Sequence, residues 1–111
     1  MSQALFTTVE ALGEERSWAG RRYLEFLRFP DLSAGLYRLE VGEADPQEPH
    51  GEDEVYVVVR GRCRFRAGGE EREVGPGSVL FVPARLEHRF VDIRETLETL
   101  VFFGPAEGSR D

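Results

Sequence analysis

Apolar and polar residues alternate along most of this chain, and Gly and Pro break the alternation about every ten residues. Alternation of period two places successive side chains on opposite faces of an extended strand. In residues 21–29, "RRYLEFLRF", the set Tyr23, Glu25 and Leu27 faces away from Leu24, Phe26 and Arg28. In residues 36–41, "LYRLEV", Tyr37, Leu39 and Val41 oppose Arg38 and Glu40. "FPDLSAG" reads as the turn between those two runs, because Pro and Asp ahead of Gly favour turns. Further strands are predicted over 54–59, over "RGRCRFRAGG" as the hairpin partner of that run, and over "EREV". "SVLFVP", "HRFVDI" and residues 98–104 complete the set, with Gly61 and Gly77 as turn residues. About eight short strands at this spacing indicate an all-β sandwich or barrel. Helix is expected only as a short turn over residues 7–15, capped by Thr8 and ended by Gly13.

Two predicted strands, 54–59 and 98–104, are apolar on both faces, so something must cover the outside of the sheet. Either the extra N-terminal strands fold over it or a second copy of the chain does. A monomer exposing Val55, Val57 and Val59 would present an aggregation-prone segment, so a homodimer is expected. Trp18 is expected on the barrel surface or at that seam, and Phe81, Phe90, Phe102 and Phe103 in the core.

With 111 residues and no linker-like break, residues 1–111 read as one domain large enough to hold its own core. The balance of 21 acidic against 14 basic residues, net −7, argues against a nucleic-acid partner. Arg60, Arg62, Arg64 and Arg66 share one side of a strand and read as its solvent face, with a ladder of cross-strand ion pairs as the alternative. No signal sequence and no apolar run long enough for a membrane span are seen, and one cysteine fits a reducing cytoplasm. Cys63 alternates with arginines beside Phe65 and is read as a buried small hydrophobe.

The chemistry concentrates in "EPHGEDE". Glu48 and His50 lie two apart and so share a face, and Glu54 starts the next strand. His88 is the only other histidine, and it could reach the same point across a barrel. Two carboxylates about 5 Å apart repel by roughly 3 kcal/mol at an effective dielectric near 20 unless a cation lies between them. A divalent ion removes that repulsion and also takes up neutral imidazoles. The plainer alternative is a solvated strand end, with His50 capping a turn and His88 satisfied in the core.

In this register the chain resembles the cupins. Gly42, five residues, Glu48, one residue, His50, three residues, Glu54, six residues and Gly61 follow the first cupin motif, with Glu48 where that motif has a His. Gly77, Pro83 and His88 follow the second, with Arg85 in place of its Gly and Asp92 in place of its Asn. The likeness covers residues 35–104 and implies a double-stranded β-helix, or jelly-roll, barrel. It also implies that Glu48, His50, Glu54 and His88 hold a divalent metal (Zn, Fe, Mn or Ni), with Tyr56 behind them. Cupins include metal-dependent enzymes of dioxygenase and isomerase type that act on small molecules. They also include modules that bind a metal or ligand without turnover, and barrels with vestigial sites. The sequence does not choose among these. Arg85, near His88, would favour an anionic ligand if it faced the barrel mouth.

Overall fold

The computed structural model describes residues 3–110. Helix α1 (Val9–Ala19) precedes six strands: β1 (Tyr23–Phe29), β2 (Leu32–Leu39), β3 (Asp53–Ala67), β4 (Glu70–Val74), β5 (Val79–Val82) and β6 (His88–Gly104). All pair antiparallel, in the order β1-β2-β6-β3-β4, with β5 also on β3.

Six strands replace the expected eight or so because two of the predicted turns do not exist. "EVYVVV" and "RGRCRFRAGG" are not hairpin partners; they form the single strand β3. "HRFVDI" and the last predicted strand are likewise one strand, β6. These two long strands pair over almost their whole length, and three register shifts between Val58 and Arg64 bend them. One half of β3 lies between β6 and β5, the other between β6 and β4. That bend rolls the ladder into a barrel. Gly61 sits at it with φ +95°, where a Cβ would lie 2.2 Å from the Thr96 carbonyl oxygen. Its backbone is needed for close strand approach, not for a hairpin. Gly77 does mark a turn, with φ +89° and its N–H donating to Val58 O at 2.8 Å.

The helix is longer than expected. Thr8 caps it, accepting from Ala11 N at 3.0 Å, but Gly13 lies inside it and Gly20 ends it in the left-handed conformation. Leu12 brings the helix down on Leu24 and Leu36, so α1 covers the outside of β1 and β2. The main core fills the barrel and includes Leu39, Val58, Phe65, Phe90, Leu97 and Phe103. Phe102 is half-buried, whereas Phe81 is 62% exposed on β5, outside the expected core. Trp18 is also exposed, on the free side of α1, and Val41 is exposed past the end of β2.

The arginine row is a solvent face carrying ion pairs. Arg60 meets Glu98 at 2.9 Å, and Arg64 and Arg66 both meet Glu71, at 2.6 and 3.0 Å. Cys63 is fully buried, and burial pushes its thiol pKa up to about 11. It should therefore ignore a thiol reagent at neutral pH until denaturant is added. Prompt stoichiometric labelling of the folded protein would contradict this.

Candidate functional site

β3 presents Glu54, Tyr56 and Val58 to the interior, in step with its alternating burial. His88, the first residue of β6, meets Glu54 there, Nε2 to Oε1 at 3.1 Å, and both side chains are 1% exposed. The Tyr56 hydroxyl lies 3.1 Å from the same Nε2. His88 Nδ1 lies 2.9 Å from Leu86 O, which only accepts, so Nδ1 carries a proton.

The second proton follows from the rest of the network. Gln47 Nε2 donates to Asp45 Oδ2 at 2.8 Å, which turns Gln47 Oε1 toward Tyr56, and the Tyr56 hydroxyl donates to it at 2.7 Å. The phenol oxygen therefore faces His88 as an acceptor, as does the Glu54 carboxylate. Both ring nitrogens thus point at acceptors, an arrangement that favours the protonated ring beside the Glu54 carboxylate. Burial works against that charge. The Glu54 hydrogen bond, the Leu86 carbonyl and the fields of Glu54 and Asp45 outweigh it and raise the His88 pKa. Burial and Glu54 together hold the Tyr56 phenol well above its usual range, so it stays protonated.

Asp45 organises the loop leading into β3. It is 1% exposed and accepts from Tyr37 Oη at 2.7 Å, Phe90 N at 2.9 Å and Gln47 N at 3.2 Å, besides Gln47 Nε2. Nothing in its sequence context marked it.

A cavity of about 390 Å³, walled in part by Tyr37 and Gln47, lies next to this network. Val101 and Phe103 line it, and in the ladder they stand directly opposite Tyr56 and Glu54. Tyr23, Tyr37, His50 and Glu107 form further walls, with Glu48 at the rim. Tyr23 folds over Gly35, where a Cβ would lie 2.2 Å from the tyrosine ring. His50 does not join Glu54 and His88. Its ring packs edge-on against Phe103, centroids 5.0 Å apart, and its Nε2 lies 3.6 Å from Glu107 Oε2.

Glu107 reaches the cavity on a segment that crosses the barrel end after β6. Buried Glu52 pins that segment by accepting from Gly108 N at 3.1 Å and Arg110 N at 2.8 Å, and Ser33 Oγ accepts from Glu107 N at 2.9 Å. Arg85 is exposed and donates to the Arg110 carbonyl at 3.4 Å, so it serves this segment and does not line the cavity. Sequence reading missed Tyr23, Asp45, Glu52 and Glu107 as site residues, since none belongs to a local pattern.

Of the four expected metal ligands, then, Glu54 and His88 meet, while Glu48 and His50 line the cavity. Among the described residues no group of three or more His, Cys, Asp or Glu side chains is arranged to hold a metal ion. As arranged, only two of the four donors converge.

The family model described as the cupin domain matches residues 35–103. The chain is a cupin. An uncharacterized protein of Streptomyces coelicolor is 46% identical to it over 99 residues, spanning 89% of this chain and 94% of that protein. Solved structures share the fold. KdgF from Halomonas aligns with a TM-score of 0.69 at 24% identity, over 76% of this cupin and 79% of that chain. An RmlC-like cupin from Shewanella frigidimarina gives 0.70 at 21%, over 76% and 75%. A putative mannose-6-phosphate isomerase from Ralstonia eutropha gives 0.65 at 26%, over 76% and 83%. Glu107 and Tyr23 lie outside the stretch that the family model matches. No helix among the described residues is long and apolar enough to cross a membrane.

Proposed function

We propose that this cupin binds a small molecule in the cavity above Phe103 and Val101, with Glu54, His88 and Tyr56 as a charged, proton-bearing group next to it. The observation that carries this is the Glu54–His88 pair, 1% exposed and 3.1 Å apart, with the ladder neighbours of Glu54 and Tyr56, Phe103 and Val101, lining an open recess. Enclosing a charged pair is costly, and one beside a cavity is positioned to act on what enters it. Its enzymatic form is proton transfer of isomerase type, which agrees with the printed name of the Ralstonia relative. Soaking crystals in a fragment library tests it. Density bounded by Tyr23, Tyr37 and Phe103 is expected, and it should vanish in a Val101→Phe variant that fills the floor. Fragments that bind elsewhere, or that ignore that substitution, would contradict it.

A second reading keeps the divalent metal. It draws on one observation: Glu54 Oε2 is buried with no hydrogen-bond partner among the described residues. Glu54, His88, His50 and Glu48 would be the candidate ligands, and binding would release the His88 proton. Elemental analysis of tag-free protein decides it. Near-stoichiometric metal that is lost in His50→Ala would establish this reading, and metal-free active protein would end it.

The chain is further proposed to form a cytoplasmic homodimer. Val79 and Phe81 are 68% and 62% exposed on β5, and across the ladder they meet half-buried Val57 and Val55 on the outer face that α1 leaves open. Light scattering should give a dimer mass, and Phe81→Glu should give a monomer. A monomeric wild-type protein would contradict the proposal.

A further inference from the structure

Two edge-to-face ring pairs stand at the cavity. Tyr23 meets Tyr37 with centroids 6.2 Å apart and planes at 67°, and His50 meets Phe103 at 5.0 Å and 77°. All of these rings line the same space of about 390 Å³, and Val101 and Pro46 add aliphatic surface to it. Gly35 gives the Tyr23 ring its seat, since a Cβ there would lie 2.2 Å from Tyr23 Cζ and 2.3 Å from its Oη. The Oη is buried in that position, so what Tyr23 offers the cavity is its ring.

The polar groups of the wall are turned toward partners within the protein. Tyr37 Oη donates to Asp45 at 2.7 Å, and the Gln47 side chain is held by Asp45 at 2.8 Å and by Tyr56 at 2.7 Å. Arg22 pairs with Glu43 at 2.7 Å, and His50 Nε2 and Glu107 Oε2 face each other at 3.6 Å. Glu48 is exposed, at the rim. An ion entering this space would have to draw a wall group from its partner or remain unpaired among rings, and an unpaired buried charge is costly. An uncharged ring requires neither. Rings also gain from edge-to-face and offset contact with other rings, beyond the area they bury.

We propose that the cavity takes a flat, uncharged aromatic ring, seated among Tyr23, Tyr37, His50 and Phe103. This rests on the reading of the cavity as a ligand site and assigns the class of ligand. The volume is that of a small-molecule site. A saturated ring of the same size would bury similar area but lacks the negative face and positive edge to which the wall rings respond. Tyr23, outside the stretch that the cupin model matches, is then a specificity-determining residue.

The test titrates full-length protein at neutral pH with p-cresol, 4-methylcyclohexanol, sodium benzoate and benzylammonium chloride at equal ionic strength, following the Tyr23 and Tyr37 ring signals by NMR. p-Cresol should saturate those shifts and bind about threefold to tenfold tighter than 4-methylcyclohexanol, the advantage of ring-on-ring contact. Both ions should bind at least about tenfold more weakly than p-cresol. Tyr23→Leu keeps bulk and removes the ring, so it should cut the advantage of p-cresol about threefold and leave 4-methylcyclohexanol unchanged. The two probes are compared within one variant, so a loss of stability does not mimic that result. Equal binding of p-cresol and 4-methylcyclohexanol, or tighter binding of either ion, overturns the ligand class and leaves the cavity as a ligand site. Silence from all four probes overturns both. An undiminished p-cresol advantage in Tyr23→Leu overturns the assignment of Tyr23 as a specificity residue.

Discussion

Replacing Asp45 with Ala is expected to cost about 3–5 kcal/mol of folding stability, since several buried donors lose their acceptor together. The Tyr37 hydroxyl and the Phe90 N–H are deeply buried, at 6% and 0% exposure, and both donate to this carboxylate. Each would then bear the penalty of a buried donor that has lost its acceptor. The damage should spread along the network. Gln47 is oriented by Asp45, Tyr56 donates to Gln47, and His88 faces the oxygen of Tyr56. Tyr37→Phe, which removes one donor together with its bond, should cost only about 1 kcal/mol. Urea unfolding of both variants measures the contrast. An Asp45→Ala loss no larger than that of Tyr37→Phe would show that the carboxylate does not organise the loop.

Gly61→Ala should be at least as damaging, at about 3 kcal/mol or more, or should prevent folding. The added Cβ would lie 2.2 Å from Thr96 O and 2.7 Å from Leu97 Cα, both backbone atoms of the paired strand β6. Neither can move without opening the ladder between the two longest strands. The residue also sits at φ +95°, which side chains with a Cβ rarely adopt. Gly20 is the control: its φ is +66°, but nothing lies within 4 Å of an added Cβ. Gly20→Ala should cost only about 1 kcal/mol, the conformational part alone. Equal losses at the two positions would mean that β3 and β6 do not close on each other as described.

The reason Gly61 was read as a hairpin turn shows what sequence carries here. Alternation reports which residues share a face, and Glu54, Tyr56 and Val58 are indeed buried together on one side of β3. It does not report whether a Gly between two alternating runs reverses the chain or only bends it, since either use exploits the missing Cβ. The barrel and its family were legible in the spacing of Gly42, Glu48, His50, Glu54 and Gly61. So was the meeting of Glu54 with His88 across a barrel, which the roll of the sheet brings about, since in the ladder His88 pairs with Ala67 and Glu54 with Phe103. The position of His50 was not legible. Its direction depends on Phe103 and Glu107, more than 50 residues further along the chain. Asp45, Glu52 and Glu107 act through contacts of long sequence separation, and no local pattern announces such contacts.

The raised pKa of His88 has a thermodynamic consequence. Its stabilising contribution is complete below the unfolded histidine value, about 6.5, and is lost as pH rises through the higher folded value. The most direct measurement is nitrogen NMR of the His88 ring in chelator-treated protein at neutral pH. Both nitrogens should carry protons, one held by Leu86 O and the other shared between Glu54 and Tyr56. A neutral ring with a bare nitrogen, or a ring whose Nε2 gives up its proton to one equivalent of zinc, would contradict the charged pair.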